Sequence, residues 1–173
     1  MEKTSGYAII WAVNCPDRNR PTMLRKASPT YSRATSGHIS AIKAIADANR
    51  DEVGFINRAR IVQLVEENRI IVAVLKGKVV GFVAFRHRKT DTQTTLSEIC
   101  LDQSVRGLGY GRGLINALYQ DCISHCRTYI RLKCTVDSDA NSFYDHLGFQ
   151  KVATEAGKVR RLNVWELVVL KIR

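Results

Sequence analysis

The chain has 173 residues, enough for one domain with its own core. A hydrophobic share of 45% and a charged share of 25% exclude a disordered or low-complexity chain. The 27 Lys and Arg against 16 Asp and Glu give a formal net charge of +11, a positive field read either as a solvated surface or as a path for a polyanion or nucleic acid.

In chain order, YAIIWAV (Tyr7–Val13) reads as a short strand. It is too short to span a bilayer and lacks a following small-residue cleavage pattern, so neither a membrane span nor a signal peptide is expected. Residues 14–30 hold all three prolines and read as a loop. Residues 1–27 are therefore taken as an N-terminal extension and 28–173 as the domain. A strand around 30–35 ends at Ser36, a candidate helix cap. Ile39, Ile42, Ile45 and Ala46 then form one helical face ending near Asn49, and a second helix over 57–68 carries Ile61, Leu64 and Val65. Two strands, 70–75 and 79–85, are joined by a tight glycine turn. The strand TTLSEICL (94–101) leads into VRGLGYGRG (105–113), where glycine recurs at every second position. Leu114, Ala117, Leu118 and Cys122 mark a helix running to about 125, and YIRLKCTV (129–136) a strand. Asp137 or Ser138 can cap a helix over 139–147 that Gly148 ends, and strands near 149–155 and 162–170 close the chain. The order β-α-α-β-β-β-α-β-α-β-β is mixed α/β (α+β), with a largely antiparallel start and one βαβ crossover around the glycine loop.

Five cysteines (Cys15, Cys100, Cys122, Cys126, Cys134) are scattered, mostly in apolar segments. They read as reduced thiols of a cytoplasmic protein. Cys122, His125 and Cys126 lack a second Cys/His pair at zinc spacing, and Cys122 belongs to an apolar face, so no metal is expected.

A strand, a glycine-rich turn and a helix N-terminus together offer free backbone N–H groups to a phosphate. The loop has no Gly-Lys-Ser/Thr, which excludes a Walker loop. A G-x-G-x-x-G fingerprint also fails, because its sixth place is Arg112 counted from Gly107 and Leu114 counted from Gly109. A turn whose glycines only permit close packing is the bland alternative. Arg106-Gly107-Leu108-Gly109-Tyr110-Gly111, however, matches [QR]-x-x-G-x-[GA], and NSFYDHLGF (141–149) follows about 30 residues later. Both resemble the signatures of the Gcn5-related N-acetyltransferase (GNAT) family. The resemblance covers roughly residues 30–170 and is strongest at 94–152; the first 27 residues have no counterpart.

The resemblance implies acetyl-CoA as cosubstrate and a primary amine as acceptor. The amides of Gly107, Leu108, Gly109, Tyr110, Gly111 and Arg112 would hold the diphosphate. The Arg106 and Arg112 side chains would either add phosphate contacts or remain solvated. Pantetheine would pair with the backbone of Ile99, Cys100 and Leu101 in a notch between the fourth and fifth strands, the Cys100 or Leu101 N–H polarising the thioester. Tyr144 matches the general acid, or else it packs. Asn141 matches a CoA contact, or else it is a helix-start residue. Glu98 is the candidate base or water relay, against a salt bridge to Arg86 or Arg88; His87 ranks below it. The alternative function is a basic nucleic-acid-associated protein of the same fold, acetylating an aminoacyl-tRNA or nucleoprotein amine or binding without catalysis. No membrane partner is expected, and a homodimer is compatible with the sequence.

Overall fold

Seven strands form one mixed sheet in a computed structural model that describes residues 28–169. The expected Tyr7–Val13 strand, the loop that follows it up to residue 27, Cys15 and residue 170 of the last strand lie outside the described residues. The strands are β1 (Thr30–Arg33), β2 (Ile70–Leu75), β3 (Lys78–His87), β4 (Gln93–Leu101), β5 (Tyr129–Thr135), β6 (Gln150–Ala156) and β7 (Arg161–Val168), in the spatial order β1-β2-β3-β4-β5-β7-β6. Every neighbouring pair is antiparallel except β4 with β5. The helices are α1 (Ile39–Ala48), α2 (Arg50–Val53), α3 (Arg58–Glu66), α4 (Tyr110–Ser124) and α5 (Ala140–His146). The single turn of α2 was not expected from the sequence. It occupies the link between the two periodic helices, where four residues are too few to show a period.

The helices cover both faces of the sheet, so β2 and β3 read as continuous apolar runs rather than alternating ones. On one face, Ile42 and Ile45 of α1 and Ile61 and Leu64 of α3 pack on Val72, Phe82, Ala84 and Cys100. On the other, Leu114, Leu118 and Cys122 of α4 pack with Tyr144 of α5 on Ile71, Val83, Phe85 and Leu96. Each such large aliphatic side chain contributes about 1.5–3 kcal/mol when fully buried. The β2–β3 turn uses Lys76 (φ 49°) and Gly77 (φ 78°), both left-handed, as a two-residue hairpin of matching twist requires. The first helix enters through a 3-10 turn over Ser36–His38. Thr35 stands at its cap instead of Ser36, its N–H donating to His38 Nδ1 at 3.1 Å.

Two irregularities shape the functional edge. The β3–β4 register steps from Phe85↔Leu96 to Ala84↔Glu98, leaving Ser97 as a bulge. Leu96 faces the α4 side. After the bulge Glu98 and Cys100 face the α1–α3 side, while Ile99 and Leu101 pack with the α4 cluster. The second irregularity is a split in the sheet. β4 and β5 pair only from Gln93↔Tyr129 to Thr95↔Arg131, and beyond that the strands separate. The notch expected between the fourth and fifth strands is present.

Candidate functional site

The notch, the glycine loop and α5 meet at one end of the sheet. Asp102 N–H donates to Val80 O at 2.9 Å. The two-residue period of the ladder therefore turns the N–H groups of Cys100 and Glu98 toward β3 and those of Ile99 and Leu101 toward the notch. The sequence left Cys100 or Leu101 as the thioester's donor. The Cys100 amide is committed to β3, and Leu101, with Ile99, offers the free edge.

The four glycines divide by task. Gly107 (φ 76°) and Gly109 (φ 83°) hold left-handed backbone, and a Cβ added at either would meet nothing within 4 Å. Gly111 and Gly113 lie inside α4. A Cβ would meet the Phe143 ring at 3.0 Å from Gly111 and the Tyr31 hydroxyl at 1.9 Å from Gly113. The first pair curves the loop and the second lets α4 settle against its neighbours. The N–H groups of Gly107, Gly109, Tyr110, Gly111 and Arg112 find no acceptor among the described residues, whereas Leu108 N–H reaches Val105 O at 3.4 Å. They converge on the N-terminus of the 15-residue α4, whose dipole adds partial positive charge. A diphosphate fits this donor set.

Arg106 does not point its side chain into that cradle. Its guanidinium bonds both Glu52 oxygens, at 2.8 and 3.0 Å, and also Asn49 Oδ1. Asn49, buried at the end of α1, donates from Nδ2 to Ile45 O at 2.7 Å and to Leu101 O at 3.2 Å. Asn49, Glu52 and Arg106 thus tie the end of β4 and the start of the loop to α1 and α2. Of the two alternatives the sequence offered, a phosphate contact or a solvated charge, the structure shows neither: the side chain is held by protein partners. Sequence reading missed Asn49 and Glu52, which stand 57 and 54 positions before Arg106. Among the described residues the Arg112 side chain reaches only His146 O, at 3.5 Å.

Asn141 is fully engaged inside the protein. Its Nδ2 has Thr135 O at 2.8 Å, Val136 O at 3.2 Å and Ser138 O at 2.7 Å, while Oδ1 accepts from Asn163 Nδ2 and Trp165 Nε1, both at 3.0 Å. It pins the start of α5 to β5 and β7, the bland alternative of the sequence reading. The contact to CoA would require these bonds to be exchanged.

Tyr144 is 6% exposed and edge-on to Phe143 and Phe149. Burial pushes its phenol above the usual range, with the Cys134 and Cys100 thiols adding to the effect. Its hydroxyl stays protonated at neutral pH and has no hydrogen-bond partner among the described residues. Glu98 is half-buried. Burial raises its carboxyl, and Arg60 on α3 pulls part of the shift back. Oε2 is buried without a hydrogen-bond partner. The alternative of a salt bridge to Arg86 or Arg88 is not formed: Arg88 pairs with Asp91 at 3.4 Å, and Glu98 forms no ion pair among the described residues. Burial followed by Glu98 and Glu52 pushes the Cys100 thiol up to about 12, so it stays neutral. His87 sits at the end of β3, bonded to Thr94 and Asp121, outside this group.

A GNAT acetyltransferase domain matches residues 66–151, the stretch from the end of α3 through β4, the loop, α4, β5 and α5. An N-acetylaspartate synthetase of Xenopus tropicalis is 33% identical over 82 residues, which are 47% of this chain and 30% of that protein. The chain thus spans about a third of the length of this curated relative. Among solved structures, Ard1 from Thermoplasma volcanium aligns with a TM-score of 0.73 and 21% identity, covering 83% of this chain and 99% of that one. An acetyltransferase of Salmonella typhimurium, yncA, solved with acetyl-CoA, gives a TM-score of 0.71 and 16% identity over 85% of this chain and 97% of its own. These last two likenesses are of fold. A sheet split between β4 and β5, a glycine loop of unpartnered amides at the mouth of the split and a matching domain over 66–151 define the class. The chain belongs to the GNAT family. None of the described helices is long and apolar enough to cross a membrane.

Proposed function

We propose that the protein is an acyl-CoA-dependent N-acetyltransferase that transfers acetyl from acetyl-CoA to a primary amine. The observation that carries this reading is the set of five unpartnered amides, Gly107 and Gly109 to Arg112, facing the end of the notch. Charge-assisted bonds from such amides are worth about 1.5–3 kcal/mol each. The Ile99 and Leu101 amides extend the same line along β4, toward pantetheine and the thioester carbonyl. Glu98 takes the amine's proton, directly or through water. The freed nitrogen forms a bond to the carbonyl carbon and gives up its second proton, the carbon–sulfur bond breaks, and Tyr144 protonates the leaving thiolate, its own proton being restored by the one the nitrogen sheds. The raised Glu98 carboxyl and the neutral Tyr144 phenol suit these two roles.

Arg60 is exposed and finds no side-chain partner among the described residues. A cation beside the candidate base suits an amine that itself carries a carboxylate. The relative's name, N-acetylaspartate synthetase, puts aspartate first among acceptors to try. The reduced thiols Cys100, Cys122, Cys126 and Cys134 support a cytoplasmic location. The nucleic-acid alternative draws on net charge alone and gains no support from the site.

The test is release of free CoA from acetyl-CoA with aspartate, glutamate, polyamines, aminoglycosides, peptide N-termini and aminoacyl-tRNA as acceptors. Amine-dependent release that falls in Glu98→Gln supports the reading. Binding of acetyl-CoA with no release for any acceptor class would favour a binding module.

A further inference from the structure

We propose that His87, Asp121 and His125 form a binding site for a divalent transition ion of the zinc type. It lies on the flank of α4 far from the glycine loop. Asp121 stands eleven residues beyond Tyr110, about 16 Å along the helix at 1.5 Å per residue.

One donor atom from each of the three residues lies within 4.8 Å of the others. Asp121 lies in the last turn of α4 and His125, four residues on, caps its C-terminus. His87 comes to them from the end of β3, its Nε2 3.0 Å from Asp121 Oδ2. The two imidazoles lie with centroids 4.8 Å apart, tilted by 33° to one another. His87 is oriented from behind: its Nδ1 lies 2.8 Å from Thr94 Oγ1, and that oxygen in turn accepts from Cys122 Sγ at 3.2 Å. A ligating histidine whose other ring nitrogen is held this way is the usual second layer of a metal centre.

Two nitrogens and one carboxylate oxygen suit zinc, which binds such donors at about 2.0–2.2 Å and keeps a fourth place for water. Arg33 pairs with Asp121 Oδ1, while Oδ2 meets His87 Nε2 at 3.0 Å, so an ion would replace that hydrogen bond and take both atoms as ligands. Bringing the donors to coordination distance requires His125 to turn inward. Its side chain is 47% exposed, and Nδ1 meets only Ser124, Asp121 O and, at 3.6 Å, Asp121 Oδ1. The open side adjoins a groove of about 320 Å³ lined by Tyr31, Arg33, Gln120 and Ser124. A bound ion would fasten the last turn of α4 to the end of β3. The sequence expectation of no metal rested on Cys122, His125 and Cys126. Of those three only His125 takes part, and Cys122 serves from behind.

The test uses the full chain stripped of metal with a chelator and titrated with Co²⁺, then displaced by Zn²⁺. The expected result is one ion per chain, with the visible absorption of a tetrahedral nitrogen–oxygen site and no thiolate charge-transfer band. His125→Ala, at an exposed position where folding is checked by circular dichroism, should weaken binding at least tenfold, as should His87→Ala. Zn²⁺ should raise the melting temperature of the wild type and not that of His125→Ala. A thiolate band, affinity unchanged in His125→Ala, or no cobalt binding would overturn the proposal.

Discussion

Glu98 carries the sharpest conflict between stability and chemistry. A carboxyl whose folded pKa is raised favours the protonated form. Its stabilising contribution is complete below the unfolded value of ~4.3 and is lost as pH rises through the folded value. At neutral pH the ionised Glu98, with Oε2 unpartnered, therefore costs stability. Glu98→Gln should raise the melting temperature at pH 7 and leave it nearly unchanged at pH 4. The same variant should turn over slowly near neutrality and recover partly at high pH, where more amine is already neutral. Thermal melts at the two pH values and a pH–rate profile check this. A variant that is destabilised at pH 7, with wild-type turnover, would make Glu98 a packing residue. Tyr144→Phe keeps the ring contacts with Phe143 and Phe149 and removes only the hydroxyl. It should lower kcat by about 10²–10⁴-fold, the span of general acid catalysis, with acetyl-CoA affinity nearly constant. Steady-state kinetics beside calorimetry separate the two.

At the scale of elements, the loop and α4 divide their glycines between backbone and packing, which gives two distinct predictions. Gly109 has φ 83°, so any side chain there strains the turn, and Asn and Asp tolerate that conformation best among non-glycine residues. Gly109→Asn therefore reports strain alone, and Gly109→Asp adds a charge facing the diphosphate. Asp should weaken acetyl-CoA at least tenfold more than Asn, about 1.4 kcal/mol, by calorimetry. Equal losses would mean that the loop's charge environment is not felt by the ligand. Gly113→Ala would bring a methyl to 1.9 Å from the Tyr31 hydroxyl. It should cost about 1–3 kcal/mol of stability by overpacking, measured by urea unfolding. Much of this architecture was legible in the sequence, because the loop motif and NSFYDHLGF are contiguous and each reports its own element. What escaped was long-range. For Arg106 the sequence offers a phosphate contact or a solvated charge, and its partners Glu52 and Asn49, more than fifty residues away, are legible in neither. Asn141 is open between a cosubstrate contact and a helix-start residue, and its bonds to Thr135, Asn163 and Trp165 cannot be read from the sequence. The Ser97 bulge that parts Glu98 and Cys100 from Leu96 leaves no trace in a pattern of residue types.

At the scale of the whole molecule, the net charge of +11 acts on the approach of an anionic cosubstrate. The association rate of acetyl-CoA, followed by stopped-flow fluorescence, should fall as ionic strength rises and the Debye length shortens from about 10 Å at 0.1 M salt. A flat profile would mean that the basic surface lies away from the approach path. The central claim is that the loop and the open edge of β4 together hold acetyl-CoA. The most direct measurement is a map of backbone amide resonances during a titration with acetyl-CoA. The account predicts the largest shifts at Gly107, Gly109, Tyr110, Gly111 and Arg112, continuing to Leu101 and Ile99, with Arg33, Gln120 and Asp121 on the flank of α4 unmoved. Shifts concentrated on that flank, or none at the loop under saturating acetyl-CoA, would contradict it.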